Sequence, residues 1–287
     1  MKCILCGSDN IKLYYLHKGL TKKKITPKEA LCTGEIGARG RYTDIYKCQK
    51  CGFIWQEFSF TNKELFSAYE DGVDENYFKQ EKQRINLFKK ALQKIEEQKS
   101  PPGNLLDVGA GAGLFLNVAR KRGWKVYGVE PSSWGVKTAK RKFDIEEYNG
   151  FFENYKNKSK TFDVITMWDV LEHFSDPIRA LKKVKSLLKD DGVLALTTIN
   201  INSWFSKLLG LHWTWLIRIH LWYFNPETFK KMLEMCGFEV LWMGSQTRWF
   251  STPYLLSRFT GKDFSFLPNL VLPAPTNDII FAIAKKK

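Results

Sequence analysis

Long apolar runs are missing from this chain of 287 residues: no window holds the ~18 uncharged apolar residues that a bilayer-spanning helix needs. Acidic residues are also in short supply, 30 Asp and Glu against 45 Lys and Arg, which leaves a formal net charge of +15. That bias would attract RNA, anionic lipid or a phosphorylated substrate. Yet the lysines are spread along the chain and no arginine-rich tract appears, so a solvated lysine-rich surface accounts for it equally well. Cysteine is scarce, six in all, and four of the six fall in two Cys-x-x-Cys-Gly knuckles. The first knuckle stands where a secretion signal would lie, and a cytoplasmic location is the expectation. A hydrophobic content of 44% excludes a disordered chain and supports a packed core.

The stretch Leu105-Leu106-Asp107-Val108-Gly109-Ala110-Gly111-Ala112-Gly113-Leu114-Phe115-Leu116 reads as a buried strand, a glycine turn and a helix start. Three alternating glycines let the backbone approach a ligand where a Cβ would collide. The dinucleotide fingerprint needs a Gly or Ala where Leu114, counted from Gly109, or Leu116, counted from Gly111, stands, which argues against a nicotinamide cofactor. Downstream, Trp124-Lys125-Val126-Tyr127-Gly128-Val129-Glu130 is a second short strand ending in a carboxylate suited to ribose hydroxyls. Short apolar strands alternate with helices from 105 to 200, which predicts a parallel, doubly wound sheet. Ligands of such sheets sit at the carboxyl ends of the strands, so Gly109, Glu130 and Trp168 are expected at one crevice.

Asp107-x-Gly109-x-Gly111-x-Gly113 resembles the first motif of the class I S-adenosylmethionine-dependent methyltransferases. The resemblance implies an α/β, Rossmann-like, seven-stranded sheet with a terminal antiparallel hairpin, formed by 239–244 and 278–284. It also implies that Asp107, Gly109, Gly111, Gly113, Glu130, Pro131 and Trp168 hold the cofactor, with the adenine near Asn149-Gly150-Phe151-Phe152-Glu153. Tyr77-Phe78 followed by Arg84 resembles a helix that helps close that site, or it is a helix packing on the sheet. Trp168-Asp169-Val170-Leu171-Glu172-His173 resembles ubiquinone-biosynthesis-type enzymes, in some of which such carboxylates and histidine bind a divalent metal. Asp169, Glu172 and His173 would do so here; alternatively they cap a helix and brace a loop.

Cys3, Cys6, Cys48 and Cys51 form two like knuckles, and four thiolates suit one structural zinc ion, while a redox dithiol is the other reading of either pair alone. Cys32 and Cys236 stand apart. The expected organisation is a zinc ribbon over 1–60 with a lysine-rich insertion at 18–41, then a methyltransferase domain over 61–287. Within the latter, helices occupy 61–100, an aromatic substrate lid 201–224, and a second insertion 247–275. The lid's Trp and His residues are expected to face substrate, and the run from His220 to Phe238 resembles methyltransferases of surface glycans and natural products. An interfacial membrane segment is a second reading of this stretch, and ordinary packing of a lid, with His220 bracing it, is a third.

Methyl transfer to a hydroxyl needs alignment and deprotonation. His220 is the first candidate base, with His173 second and Asp169 also in reach of the site. The expected acceptor is a small molecule, sugar nucleotide or glycan, methylated on oxygen or carbon. The alternatives are an RNA methyltransferase that uses the ribbon and basic surface, and a non-catalytic zinc-ribbon module on a methyltransferase fold. No Asn-Pro-Pro-Tyr-like motif follows the fourth core strand, which argues against methylation of base amino groups.

Overall fold

The computed structural model of the chain describes residues 1–16, 42–57, 78, 80–158, 160–253, 256, 264, 266–268 and 270–287. The expectations for Tyr77, for Cys32, for the lysine-rich segment and for a first helix after Thr61 fall outside those residues, as does much of 247–275.

The N-terminal sheet begins with β1 (Ile11–Tyr15), β2 (Ile45–Cys48) and β3 (Ile54–Gln56), joined antiparallel in that order. Helix α1 (Glu81–Glu96) is amphipathic: Ala91, Leu92 and Ile95 are buried while its lysines meet solvent. The alternating region follows as β4 (Asn104–Val108), α2 (Leu114–Arg120), β5 (Lys125–Glu130), α3 (Ser133–Phe143), β6 (Glu147–Asn149), β7 (Phe162–Trp168), α4 (Pro177–Leu187) and β8 (Leu188–Ile199). Strands β4 and β7 and the 192–199 part of β8 are buried almost throughout because helices cover both faces of a parallel sheet. Side-chain oxygens fix where helices start: Ser132 accepts from the Gly135 amide before α3, and Asp176 from the Arg179 amide before α4, which opens on Pro177.

The remainder comprises α5 (Trp204–Leu209), β9 (Trp222–Tyr223), α6 (Pro226–Met235), β10 (Phe238–Ser245), β11 (Arg248–Ser251), β12 (Val271–Ala274) and β13 (Ile279–Lys286). The main sheet has seven strands in the order β10-β13-β8-β7-β4-β5-β6, with β13 antiparallel to both β8 and β10 and the others parallel. This is the expected methyltransferase sheet with its terminal hairpin. Strand order reverses at β4, which lies between β5 and β7, and the crevice of such folds opens there. Strands β11 and β12 pair as a separate two-stranded ribbon.

Strand β9 completes the N-terminal sheet rather than the main one, pairing Ile54 with Tyr223 and Trp55 with Trp222. Cys3, Leu5, Cys48, Phe53 and Trp55 share one apolar cluster with Leu171, Trp222, Phe224 and Phe229. Of the aromatic stretch, Trp213, Leu216, Ile217, Ile219, Trp222, Tyr223 and Phe224 are buried, whereas Trp204 and Leu208 are exposed. Trp213, Leu216 and Tyr223 share a second apolar cluster with Tyr42, Ile45 and Ile54. Among the described residues no helix is long and apolar enough to cross a membrane.

Candidate active site

The glycine loop leaves β4 at Val108 and is tied at once to the neighbouring strand, the Gly109 and Ala110 amides donating to the Val129 carbonyl at 2.8 and 3.2 Å. Gly109, Gly111 and Gly113 all take positive φ, at 75°, 61° and 73°, a region costly for other residues. Space is short as well as conformation: a Cβ on Gly109 would lie 2.6 Å from a Val170 methyl, and one on Gly113 2.8 Å from the Ala139 Cβ.

Three carboxyls stand around this loop. Glu130, at the end of β5, accepts from the Gly111 amide at 2.7 Å and from the Ser132 amide at 2.8 Å, so it fastens the loop to the strand end. Asp107 accepts from the Thr166 hydroxyl at 2.6 Å. Burial raises the pKa of both. Glu147 lies opposite Gly128 in the β5–β6 register, and the missing side chain of Gly128 makes room for it, since a Cβ there would come within 2.6 Å of Glu147 Cγ. Both Glu147 oxygens are buried without a hydrogen-bond partner among the described residues. Burial, with the nearby charges of Glu130 and Asp107, pushes its carboxyl up to about 9. Asn149 donates to the Glu130 and Pro131 carbonyls at 3.2 and 3.1 Å, which holds the β6 end against the β5 end. Trp168 closes β7 with its ring among Phe88, Phe115 and Phe281, and its indole nitrogen is buried without a hydrogen-bond partner among the described residues.

Beyond β7 the chain turns sharply, Asp169 adopting φ 55°. Its amide donates to Thr197 Oγ1, and that hydroxyl donates to Asp169 Oδ1, both at 2.9 Å. Glu172 is fully buried and accepts from Thr198 Oγ1 at 3.0 Å. His173 and His220, 47 positions apart, meet edge to face with ring centroids 4.8 Å apart. His173 Nδ1 is 3.0 Å from the Ile219 carbonyl and His220 Nδ1 is 2.9 Å from the Trp215 carbonyl. A carbonyl only accepts, so both Nδ1 atoms carry the proton and a neutral ring presents Nε2 as its basic atom. Burial lowers His173 to about 4, against the opposing influence of the Ile219 carbonyl and Asp169, so its ring stays neutral at physiological pH. Ligand atoms of Glu172, His173 and His220 all lie within 4.8 Å of one another. The expected metal trio of Asp169, Glu172 and His173 is thus rearranged: His220 joins Glu172 and His173, while Asp169 is engaged by Thr197.

The two cysteine knuckles face each other. Gly7 and Gly52, at φ 70° and 75°, let each chain turn back so that their amides donate to the Cys3 and Cys48 carbonyls at 2.8 and 2.9 Å. The sulfurs of Cys3 and Cys51 are 3.6 Å apart and those of Cys6 and Cys48 3.5 Å, with all four cysteines free. Zinc–sulfur bonds of ~2.3 Å place tetrahedral ligands ~3.8 Å from each other, so the donor set fits that ion. Burial alone would raise the Cys48 thiol, but the Cys51 and Lys50 amides bring it down to about 7. Cys236 is buried away from this cluster, and burial pushes it up to about 11.

Sequence reasoning named His173 and His220 singly and did not pair them. It missed Thr198, Val170 and Gln56. The only signal for Gln56 is one polar residue closing the apolar run Phe53-Ile54-Trp55.

The sequence pattern of the methyltransferase domain matches residues 80–242. A ubiquinone biosynthesis O-methyltransferase from Coxiella burnetii is 35% identical over 117 residues, 39% of this chain and 50% of that protein. The chain thus spans about half the length of the curated relatives it matches. Among solved structures, a SAM-dependent methyltransferase from Thermotoga maritima superposes with a TM-score of 0.52 at 21% identity, over 74% of this chain and 94% of that one. The [4+2]-cyclase SpnF superposes at 0.53 with 14% identity, over 80% of this chain and 98% of its own. Such distant likenesses establish the fold, and the cyclase illustrates that one fold hosts several reactions. The match over more than half its length, together with the seven-stranded sheet and glycine loop, means that this chain belongs to the methyltransferase-domain family, with the class I S-adenosylmethionine-dependent fold.

Proposed function

We propose that the chain transfers a methyl group from S-adenosylmethionine to a hydroxyl of a small molecule, such as a sugar nucleotide, glycan or related metabolite. The observation that carries the cofactor is the loop at Gly109, Gly111 and Gly113, whose positive φ angles make a left-handed glycine turn at the carboxyl end of β4 with Glu130 fastened to it. Asp107, Glu130, Pro131 and Trp168 would complete its site, with Glu130 the group for the ribose. When bound, the cofactor supplies an electrophilic methyl group on a sulfonium.

The chain's own residues must align a nucleophile and remove its proton. His220 is the better base, because burial holds His173 at about 4, well below the operating pH that suits a proton acceptor. Glu172, His173 and His220 would alternatively hold a divalent cation, which supplies Lewis acidity toward an acceptor hydroxyl. An oxygen acceptor is also supported by the likeness to ubiquinone biosynthesis O-methyltransferases. Cys3, Cys6, Cys48 and Cys51 would hold a structural zinc ion.

Calorimetry with S-adenosylmethionine and S-adenosylhomocysteine tests the cofactor reading. Micromolar binding to the wild type, weakened tenfold or more in Glu130→Ala, is expected. Absence of binding by the folded wild-type protein would overturn it and favour the non-catalytic module. With an acceptor in hand, His220→Ala is expected to lower turnover by ~10²–10⁴-fold while cofactor affinity holds. The RNA reading predicts instead an affinity that falls steeply with salt.

A further inference from the structure

One buried side chain joins the cysteine module to the histidine pair. Gln56, the last residue of β3 and five positions beyond Cys51, has 0% of its surface exposed. Its Nε2 lies 2.9 Å from the Ile217 carbonyl, 2.7 Å from that of Arg218 and 2.6 Å from that of His220. An amide has two hydrogens to share among those three acceptors, so all its donor capacity is spent on this one turn. Its Oε1 accepts from the Thr43 amide at 3.2 Å, which fixes the amide's orientation, while the Thr43 hydroxyl gives its one hydrogen to the Glu57 carbonyl at 2.6 Å. The Gln56 backbone amide donates to the Leu221 carbonyl at 3.0 Å.

The turn so held, 217–220, orients both histidines. His220 is part of it, and the Ile219 carbonyl inside it receives His173 Nδ1. An apolar side chain at position 56 would fill the space but take this donor from the Arg218 and His220 carbonyls, a larger cost than the loss of a hydrogen bond at the surface, while the Ile217 carbonyl would keep the His220 amide at 3.1 Å and the Tyr223 hydroxyl at 3.4 Å. Packing alone would place an apolar residue there, as at Phe53, Ile54 and Trp55.

We infer that Gln56 is a positioning residue for the His173–His220 pair, and that the four-cysteine module thereby sets the geometry of that pair. The inference rests on the proposal that these histidines face the acceptor. It adds that their orientation is set from the N-terminal sheet.

The test uses the full-length chain with Gln56→Met, which keeps length and apolar volume but removes both donors, and Gln56→Asn, which keeps the amide but draws it back by one methylene from the carbonyls of 217–220. Imidazole ¹⁵N–¹H correlation spectra report which ring nitrogen of His173 and His220 carries the proton. Expected for Gln56→Met are mixed tautomers and a ~100-fold lower kcat, as for a misplaced catalytic group, with cofactor affinity and zinc at the cysteine site within twofold of wild type. Gln56→Asn should shift the same signals less. Wild-type spectra and kcat in folded Gln56→Met would overturn the inference; should that variant not fold, unchanged spectra in Gln56→Asn would do so. Because the spectra are read without turnover, a wild-type protein that binds no cofactor would sink the functional reading while leaving the positioning result to be judged separately.

Discussion

Glu147 shows how far a single residue can depart from its surface reading. In the sequence it is one of two adjacent glutamates, indistinguishable from Glu146; in the fold Glu146 is exposed while the Glu147 carboxyl sits behind the glycine loop. Its pKa of about 9 lies above its unfolded value, so below the unfolded value both states hold the proton and nothing is lost. As pH rises from there toward 9, the unfolded chain releases a proton that the folded chain keeps, and stability falls by at most ~1.4 kcal/mol per pH unit. Denaturant midpoints measured from pH 5 to 8 are therefore expected to fall more steeply in the wild type than in Glu147→Gln; parallel curves would contradict this. Gly109 is the opposite case. Its role is legible from its spacing to Gly111 and Gly113, yet the neighbour that enforces it, Val170, lies across the crevice and has no local signature.

Among the elements, α6 is the most completely specified by local sequence. Asn225 accepts from the Thr228 amide, Thr228 reciprocates toward the Asn225 amide, and Pro226 opens the first turn. Asn225→Ala should cost ~1 kcal/mol, read as a lower urea midpoint with an unchanged slope. The stretch immediately before this helix was far less legible. A run dense in Trp, Leu, Ile and Phe has no period that distinguishes a buried face, so its burial could not be read from residues 201–224 alone. The deciding partner, β3, lies 167 to 169 positions upstream, and pairing over such a separation leaves no trace in either segment by itself.

At the scale of the whole molecule, the cysteine module and the main sheet share apolar contacts through Phe53, Trp222 and Phe224, with Phe53 stacked on Trp222 at 5.9 Å. Binding free energy at a structural zinc site is folding free energy, so metal loss is expected to reach beyond the knuckles. Chelating the zinc-loaded protein should speed amide hydrogen exchange at residues 54–56 and at 221–223, while β4 and β5 remain protected. Faster exchange confined to residues 3–16 would mean that the module and the catalytic sheet are energetically separate. The net charge of +15 belongs to this scale too, and it sets long-range attraction without selecting a partner.

The amino-acid sequence by itself determined the features whose physics fits inside a short window. These are the glycine loop with its left-handed turns, the alternation of apolar strands and helices that makes a parallel sheet, the capped starts of helices and the turn chemistry of each Cys-x-x-Cys-Gly knuckle. Only the tertiary structure decided that His220 meets His173 and Glu172, that Asp169 turns to Thr197, that β9 joins β3, and that Gln56 holds the turn between them. Each of those depends on packing distant segments against one another, where burial, shape and the demand that interior carbonyls find donors act together.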